Sequence, residues 1–375
     1  MDWPYYRTLF PVTQRSAFFN HAAISAPSTK VIAAVQELVS EQAYLGSQGY
    51  RSWMDRVETV RQQVARFVCA APSDIAFVAN TSTGLGLMAA GFHWTAGDAL
   101  LVPSPDFPAN VYPWQNLSQR GVTMITVPRR SGRLAVEDFA RLVTDNVRML
   151  VVSSVDFATG YAVDLNAIGR FCRENNIFFG VDAIQSLGVR PIDVEKDQID
   201  FVAAGAHKWL LGPMGIGLLY ISPRLRQHLD LPLVGWKSVV HEEDFRLHFQ
   251  LRKDAAGFEP GTLNVAGIVG LGAAISLLEE VGLVQIEQRV SILLDELADG
   301  LAQRSLTLKT PWPGKERCGI LSFTAGDDVF ALSKHLNEQG VVLALRDGGF
   351  RLSPHFYNDA ADIERFFYAL DSFSG

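Results

Sequence analysis

Apolar residues recur along this chain in two rhythms. Val57, Val60, Val64, Phe67 and Val68 follow three- and four-residue spacing, which places them on one stripe of a helix that Pro72 closes. From there short continuous apolar runs take over: IAFVAN (75–80), ALLVPS (99–104), TMITVP (123–128), RMLVVSSV (148–155), IFFGVDA (177–183), DFVAAGA (200–206) and GIGLLYIS (215–222). Runs of this kind have no polar face and read as buried strands, and helical stretches separate most of them. The alternation predicts an α/β fold with a mostly parallel seven-stranded sheet covered on both faces. The last two runs, joined by HKWLLGPM, allow one antiparallel exception.

The texture changes after about residue 275. Leu283, Ile286, Val290, Leu293, Leu294 and Leu297 mark a helix, followed by strands LTLKT and GILSFTA, a helix over 327–339, strands VVLAL and FRLSP, and a closing helix from Ala360 to Leu370. This predicts a smaller C-terminal α+β domain. The expected division is a large domain over 16–275 and a small one over 1–15 and 276–375. The longest apolar stretch, Leu263 to Leu278, is 16 residues, interrupted by Asn264 and Ser276 and loosened by glycines. It is shorter than a membrane span needs and reads as a buried helix bridging the two domains.

Composition narrows the function classes. A chain of 375 residues with 48% hydrophobic and 19% charged residues is globular and long enough for two cores. Its net charge of −7 supplies no basic footprint, so neither nucleic acid nor an acidic membrane is an expected partner. Cys69, Cys172 and Cys318 lie far apart, which excludes a disulfide framework and a Cys-x-x-Cys metal pair and fits a reducing, cytoplasmic setting. The opening MDWPYYRTLFPVTQR has no apolar core and is not expected to be a secretory signal.

Three constellations carry candidate chemistry. Strand IAFVAN runs into Thr81, Ser82, Thr83 and Gly84, where a helix N-terminus with hydroxyl side chains can cradle a phosphate, or where Ser82 or Thr83 simply caps the helix. A dinucleotide reading of Gly84-x-Gly86-x-x-Ala89 lacks its acidic residue after the next strand. Asp182, ending IFFGVD ahead of Gln185, lies where open sheets bind ligands, although it also suits a turn. Lys208, in AAGAHKWLLGPMGIG, sits between two strands too apolar for a surface. There an apolar pocket would lower its pKa and make it a Schiff-base former, where most lysines are solvated charges. A phosphate cradle, a carboxylate for a pyridine nitrogen and a desolvated lysine together match the needs of pyridoxal 5′-phosphate.

The segment IDFVAAGAHKWLLGPMGIGLLY resembles the signature around the cofactor lysine of the class V aminotransferase family. Its members include cysteine desulfurases, selenocysteine lyases, kynureninase and isopenicillin N epimerase-like proteins. The resemblance runs from FFNHAAISAPS (18–28) to RLSPHFYNDAADIERF (351–366). It implies the PLP-dependent transferase fold type I. Lys208 would carry the cofactor, Asp182 would hold the pyridine nitrogen and Gln185 would donate to the phenolic oxygen. Ser82, Thr83 and His207 would hold the phosphate, and Phe107 of DFPANVYPWQ would lie over the ring, unless it is a core residue. Thr262 of GFEPGTLN would reach the phosphate of the other subunit in a homodimer with shared active sites. Arg351 would clamp the substrate carboxylate, with Arg346 in reserve and Asn20 beside the substrate; a structural Arg351 paired with Asp347 or Asp359 is the alternative.

Departures from the family matter as much. Gly205 stands where relatives have a phosphate-binding serine, and Ser154 lies near a desulfurase asparagine. Arg346-Asp-Gly-Gly-Phe runs directly into Arg351, without the loop that carries the desulfurases' nucleophilic cysteine. The expected function is therefore PLP chemistry at the Cα of a small amino-acid substrate, first as an aminotransferase, alternatively as a C–S lyase or an epimerase. A non-catalytic nucleotide-binding protein would explain the glycines but not the position of Lys208.

Overall fold

The computed structural model describes residues 1–314, 316–326 and 328–373. In chain order the strands are β1 (Ala17–Phe18), β2 (Ile75–Val78), β3 (Ala99–Ser104), β4 (Thr123–Pro128), β5 (Val147–Ser153), β6 (Phe178–Asp182), β7 (Phe201–Gly205), β8 (Gly217–Ile221), β9 (Thr307–Leu308), β10 (Leu321–Thr324), β11 (Val341–Val342), β12 (Ala344–Arg346) and β13 (Gly349–Leu352). The seven expected runs form one sheet in the order β2-β8-β7-β6-β5-β3-β4. Only β8 runs against its neighbours, β2 and β7; the other pairs are parallel. Every residue of β6, β7 and β8 is buried, as runs without a polar face require, whereas β4 at the sheet edge keeps exposed positions.

The apolar stretch around Leu271 is the helix Val265–Val281, packed on the helices Thr29–Leu45 and Tyr50–Phe67. Its glycines are there for contact: a Cβ at Gly270 would come within 2.6 Å of the Pro213 ring, and one at Gly272 within 2.5 Å of Val60. Leu271, Ile275 and Leu278 are fully buried, each contributing roughly 1.5–3 kcal/mol of apolar burial. Among the described residues no single helix is long and apolar enough to cross a membrane.

The C-terminal third builds an antiparallel sheet, β12-β13-β10-β9. Here the structure departs from expectation. VVLAL is two strands: β11 pairs in parallel with β1, while β12 turns back on β13 as a hairpin. The break at Leu343 lets adjacent residues serve different partners, and the β1–β11 pair ties the N-terminal segment to the C-terminal unit. LTLKT shortens to β9. The helix expected over 327–339 is Val329–Glu338, capped by Asp328 accepting the Ala331 N–H; Asp327 lies outside the described residues. Helix Thr29–Leu45 had no counterpart in the pattern because it buries only Val31 and Leu38.

Candidate active site

The carboxyl ends of β2, β3, β5, β6 and β7 meet at one edge of the large sheet. Beyond β2, Asn80 caps the helix Thr81–Gly91, its side chain accepting the Thr83 N–H at 2.9 Å. Asn80 is thus the cap, two and three residues before Ser82 and Thr83, which were expected in that role, and Ser82 is left to line the cavity. Thr81 Oγ1 accepts the Gly205 N–H at 2.9 Å and fixes this helix end to β7. The N–H groups of Thr81 and Ser82, both residues that line the cavity, have no intrahelical acceptor.

Asp182 is the last residue of β6 and is 2% exposed. Its Oδ1 accepts the Ile184 N–H at 3.0 Å, and among the described residues it makes no ion pair. Burial, and secondarily the charge of Asp106, push its carboxyl up to about 7 against the pull of the Ile184 N–H and Lys208. Ser153 lies beside Asp182 in the β5–β6 register and donates from Oγ to Asp106 at 2.7 Å. Asp106 in turn accepts the Phe107 N–H at 2.7 Å and so orients the loop that carries that ring.

Beyond β7 the chain presents His207 and Lys208. Ser25 of the N-terminal segment holds this turn, its N–H donating to the His207 carbonyl at 2.8 Å and its hydroxyl to the Lys208 carbonyl. Burial lowers the Lys208 amine to about 8, with Arg351 and Arg346 adding to the effect and Asp182 opposing it. Burial and then Lys208 keep the His207 imidazole below its usual range. Gln185 is fixed at both ends: Nε2 donates to the Ala22 carbonyl at 3.1 Å, and Oε1 accepts the Trp209 indole N–H at 2.9 Å. With one N–H given to Ala22, Nε2 keeps a second N–H for a ligand.

Phe107 is 42% exposed and so is not a core residue; Lys208 Nζ lies 5.6 Å from its ring centroid. Phe157, on the loop after β5, packs edge-on against it at 5.3 Å. Arg351 comes from β13 and is 2% exposed; Nη1 donates to the Phe157 carbonyl at 2.6 Å, and Nε is buried without a partner. The acids considered as its structural partners are engaged elsewhere, Asp347 with Lys309 at 2.8 Å and Asp359 with Arg7 at 3.1 Å.

One cavity of about 370 Å³ gathers Ser82, Phe107, Asp182, Gln185, His207, Lys208, Arg346 and Arg351. Three expected residues do not line it. The N–H and hydroxyl of Thr83 both turn to Asn80, Asn20 bridges to Ser353 with its side-chain oxygen buried and unpaired, and Thr262 is exposed before the helix Val265–Val281. Thr81, part of the expected phosphate cradle, also lines the cavity, and residues the sequence reading missed include Ala22, Asn80 and Phe157. Asn80 had a signal, a capping residue closing a strand; Phe157 had none.

The donor set fits pyridoxal 5′-phosphate. A buried carboxylate without a protein cation suits a protonated pyridine nitrogen, a helix N-terminus suits a phosphate, and a desolvated lysine faces an aromatic ring. A pyridoxal-phosphate enzyme built on a mostly parallel α/β sheet is the class that fold and cavity define. The chain matches the Aminotransferase class-V family over residues 17–366 and belongs to it. It is a PLP-dependent enzyme of that family. It is similar to a probable cysteine desulfurase of Methanothermobacter thermautotrophicus, 29% identical over 97% of this chain and 96% of the relative. A cysteine desulfurase of Yersinia pseudotuberculosis is 31% identical over 83% of this chain and 80% of its own. The solved apo structure of a cysteine desulfurase from Thermococcus onnurineus matches with a TM-score of 0.89 at 26% identity, covering 97% of this chain and 96% of the other.

Proposed function

We propose that the enzyme is an aminotransferase acting at the Cα of an α-amino acid, with Lys208 and Asp182 as its catalytic pair. The observation that carries this reading is that both groups line one cavity at the strand ends, an elevated carboxyl and a depressed amine whose Nζ faces the Phe107 ring. Pyridoxal phosphate, when bound, supplies an electron sink for the pair left when a bond at Cα breaks. Lys208 would hold the cofactor and then accept the Cα proton at Nζ, a task suited to an amine whose pKa is drawn toward neutrality. Asp182 would hold a proton on the pyridine nitrogen. Gln185 would donate from Nε2 to the phenolic oxygen, its orientation set by Trp209. Ser82 and the N–H groups at the start of Thr81–Gly91 would bind the phosphate, with His207 as a neutral donor and Thr83 through its position in that first turn. Phe107 would cover the ring and exclude water. Arg351 would bind the α-carboxylate with its planar fork, and Asn20 would support that wall through its bridge to Ser353.

The proposal extends to a homodimer of two-part subunits, 16–275 forming the large unit and 1–15 with 276–375 the small one. Support comes from exposed Thr262 and from Leu233, Val234, Trp236, Phe245, Leu247 and Phe249, apolar side chains left open on the segment before it. A cytoplasmic setting is supported by three unpaired cysteines.

A second reading, C–S lyase, is favoured by the relatives named cysteine desulfurase. No cysteine lines the cavity among the described residues. Cys318 is 4% exposed, and burial pushes its thiol up to about 11. A lyase here would therefore work by elimination and without a protein-bound persulfide. The discriminating test adds amino acids to the holoenzyme, follows the cofactor spectrum and assays products. Keto acid without ammonia supports aminotransfer, ammonia or sulfide supports the lyase, inverted substrate supports an epimerase, and no spectral response to any amino acid overturns all three.

A further inference from the structure

The β12–β13 hairpin carries two of the cavity's cations. Ala344 pairs with Arg351 and Arg346 with Gly349, so Arg346, two residues beyond Ala344, shares a sheet face with Arg351. Diagonal neighbours of this kind lie about 7–8 Å apart at the backbone. Both guanidinium groups line the cavity, and each depresses the Lys208 amine. Neither meets an acidic partner among the described residues, and the nearest acid in sequence, Asp347, is taken by Lys309. Like charges on one sheet face, one of them 2% exposed, are unfavourable unless an anion joins them.

A charge count gives the anion's valence. Lys208 and Asp182 are assigned to the cofactor, which leaves Arg346 and Arg351 as the cavity's cations for a substrate. The phosphate is assigned above to the helix N-terminus, Ser82 and His207, and so makes no claim on the arginines. A substrate α-carboxylate satisfies one guanidinium and leaves the other. We propose that the substrate is an α-amino acid with a second acidic group at the end of its side chain, the α-carboxylate taken by buried Arg351 and the side-chain acid by Arg346. This rests on the reading of the cavity as an amino-acid site. Position assigns the two roles: Arg351 is enclosed and held by the Phe157 carbonyl, as a group common to all amino acids requires, while Arg346 is exposed at the rim, where a side chain ends. The diagonal spacing suits carboxyl groups separated by two or three methylenes.

The test uses succinate and butyrate, four-carbon acids that differ by one carboxylate and cannot react, titrated calorimetrically into the holoenzyme. Succinate is expected to bind at least tenfold more tightly. Arg346→Gln should bring the two within about twofold, and Arg346→Lys should restore part of the preference. Equal affinities in the parent enzyme, or a preference that survives Arg346→Gln in a variant with unchanged melting temperature, would overturn the proposal. The visible spectrum after adding L-alanine and L-aspartate separates the two levels of inference. A response to alanine without any dicarboxylate preference removes only the second acidic group, whereas silence toward every amino acid removes the amino-acid site itself.

Discussion

Replacing Asp182 by asparagine should stabilise the cofactor-free protein while disabling the enzyme. The carboxyl is buried, titrates near 7 in the fold and near 3.8 when exposed. Between those values the fold holds a proton that the unfolded chain has released. The stability this provides is fully present below about pH 4 and is lost as pH rises through 7. A shift of about three units corresponds to roughly 4 kcal/mol at most, at about 1.4 kcal/mol per unit, and relaxation around the buried group lowers what is realised. We expect Asp182→Asn apoprotein to be more stable than the parent by about 2 kcal/mol at pH 8 and nearly equal to it at about pH 3.5. With cofactor bound the sign reverses, because an amide cannot stabilise a protonated pyridine nitrogen; turnover should fall about a thousandfold or more. Urea denaturation of both apoproteins across this pH range, together with turnover of the holoenzymes, measures both effects. A variant no more stable at pH 8 than the parent, or one with near-normal turnover, would refute the reasoning and reduce Asp182 to a turn residue.

Other consequences are equally direct. Lys208→Ala should still bind cofactor through the phosphate contacts yet lose turnover by several orders of magnitude, measurable by absorbance and steady-state rates. Arg351→Lys should weaken amino-acid binding by about 2–4 kcal/mol in spectral titrations, because a lysine cannot reproduce the planar fork, and should leave the cofactor spectrum intact. Replacing Cys69, Cys172 and Cys318 together by alanine or serine should spare activity in a folded variant; a protein-bound persulfide formed from free cysteine in the parent would contradict this. Light scattering at assay concentration should give twice the chain mass, and a fully active monomer would exclude a shared site at Thr262.

The large sheet was legible because its strands are buried on both faces, and continuous apolar runs such as ALLVPS have no other stable place; β3 coincides with that run residue for residue. Lys208 was legible for the same reason, a charge set between two such runs. The small sheet was less so, since one apolar run, VVLAL, serves two partners and nothing in its pattern marks the break at Leu343. That hairpin register is what puts Arg346 and Arg351 on one face, so their partnership could not be seen although both residues were singled out. The Asn80 cap was masked by the hydroxyl residues that follow it. The Trp209 bond to Gln185, the Ser25 clasp on Lys208 and the Phe157 contact depend on backbone positions far apart in sequence, which no local pattern encodes.

The central claim is that Lys208 carries the cofactor in the cavity it shares with Asp182. Borohydride reduction of the holoenzyme followed by peptide mapping tests it most directly. The account predicts a single pyridoxyl label, on the peptide containing His207-Lys208-Trp209; a label on any other lysine, or none on a protein that retains cofactor, would contradict it.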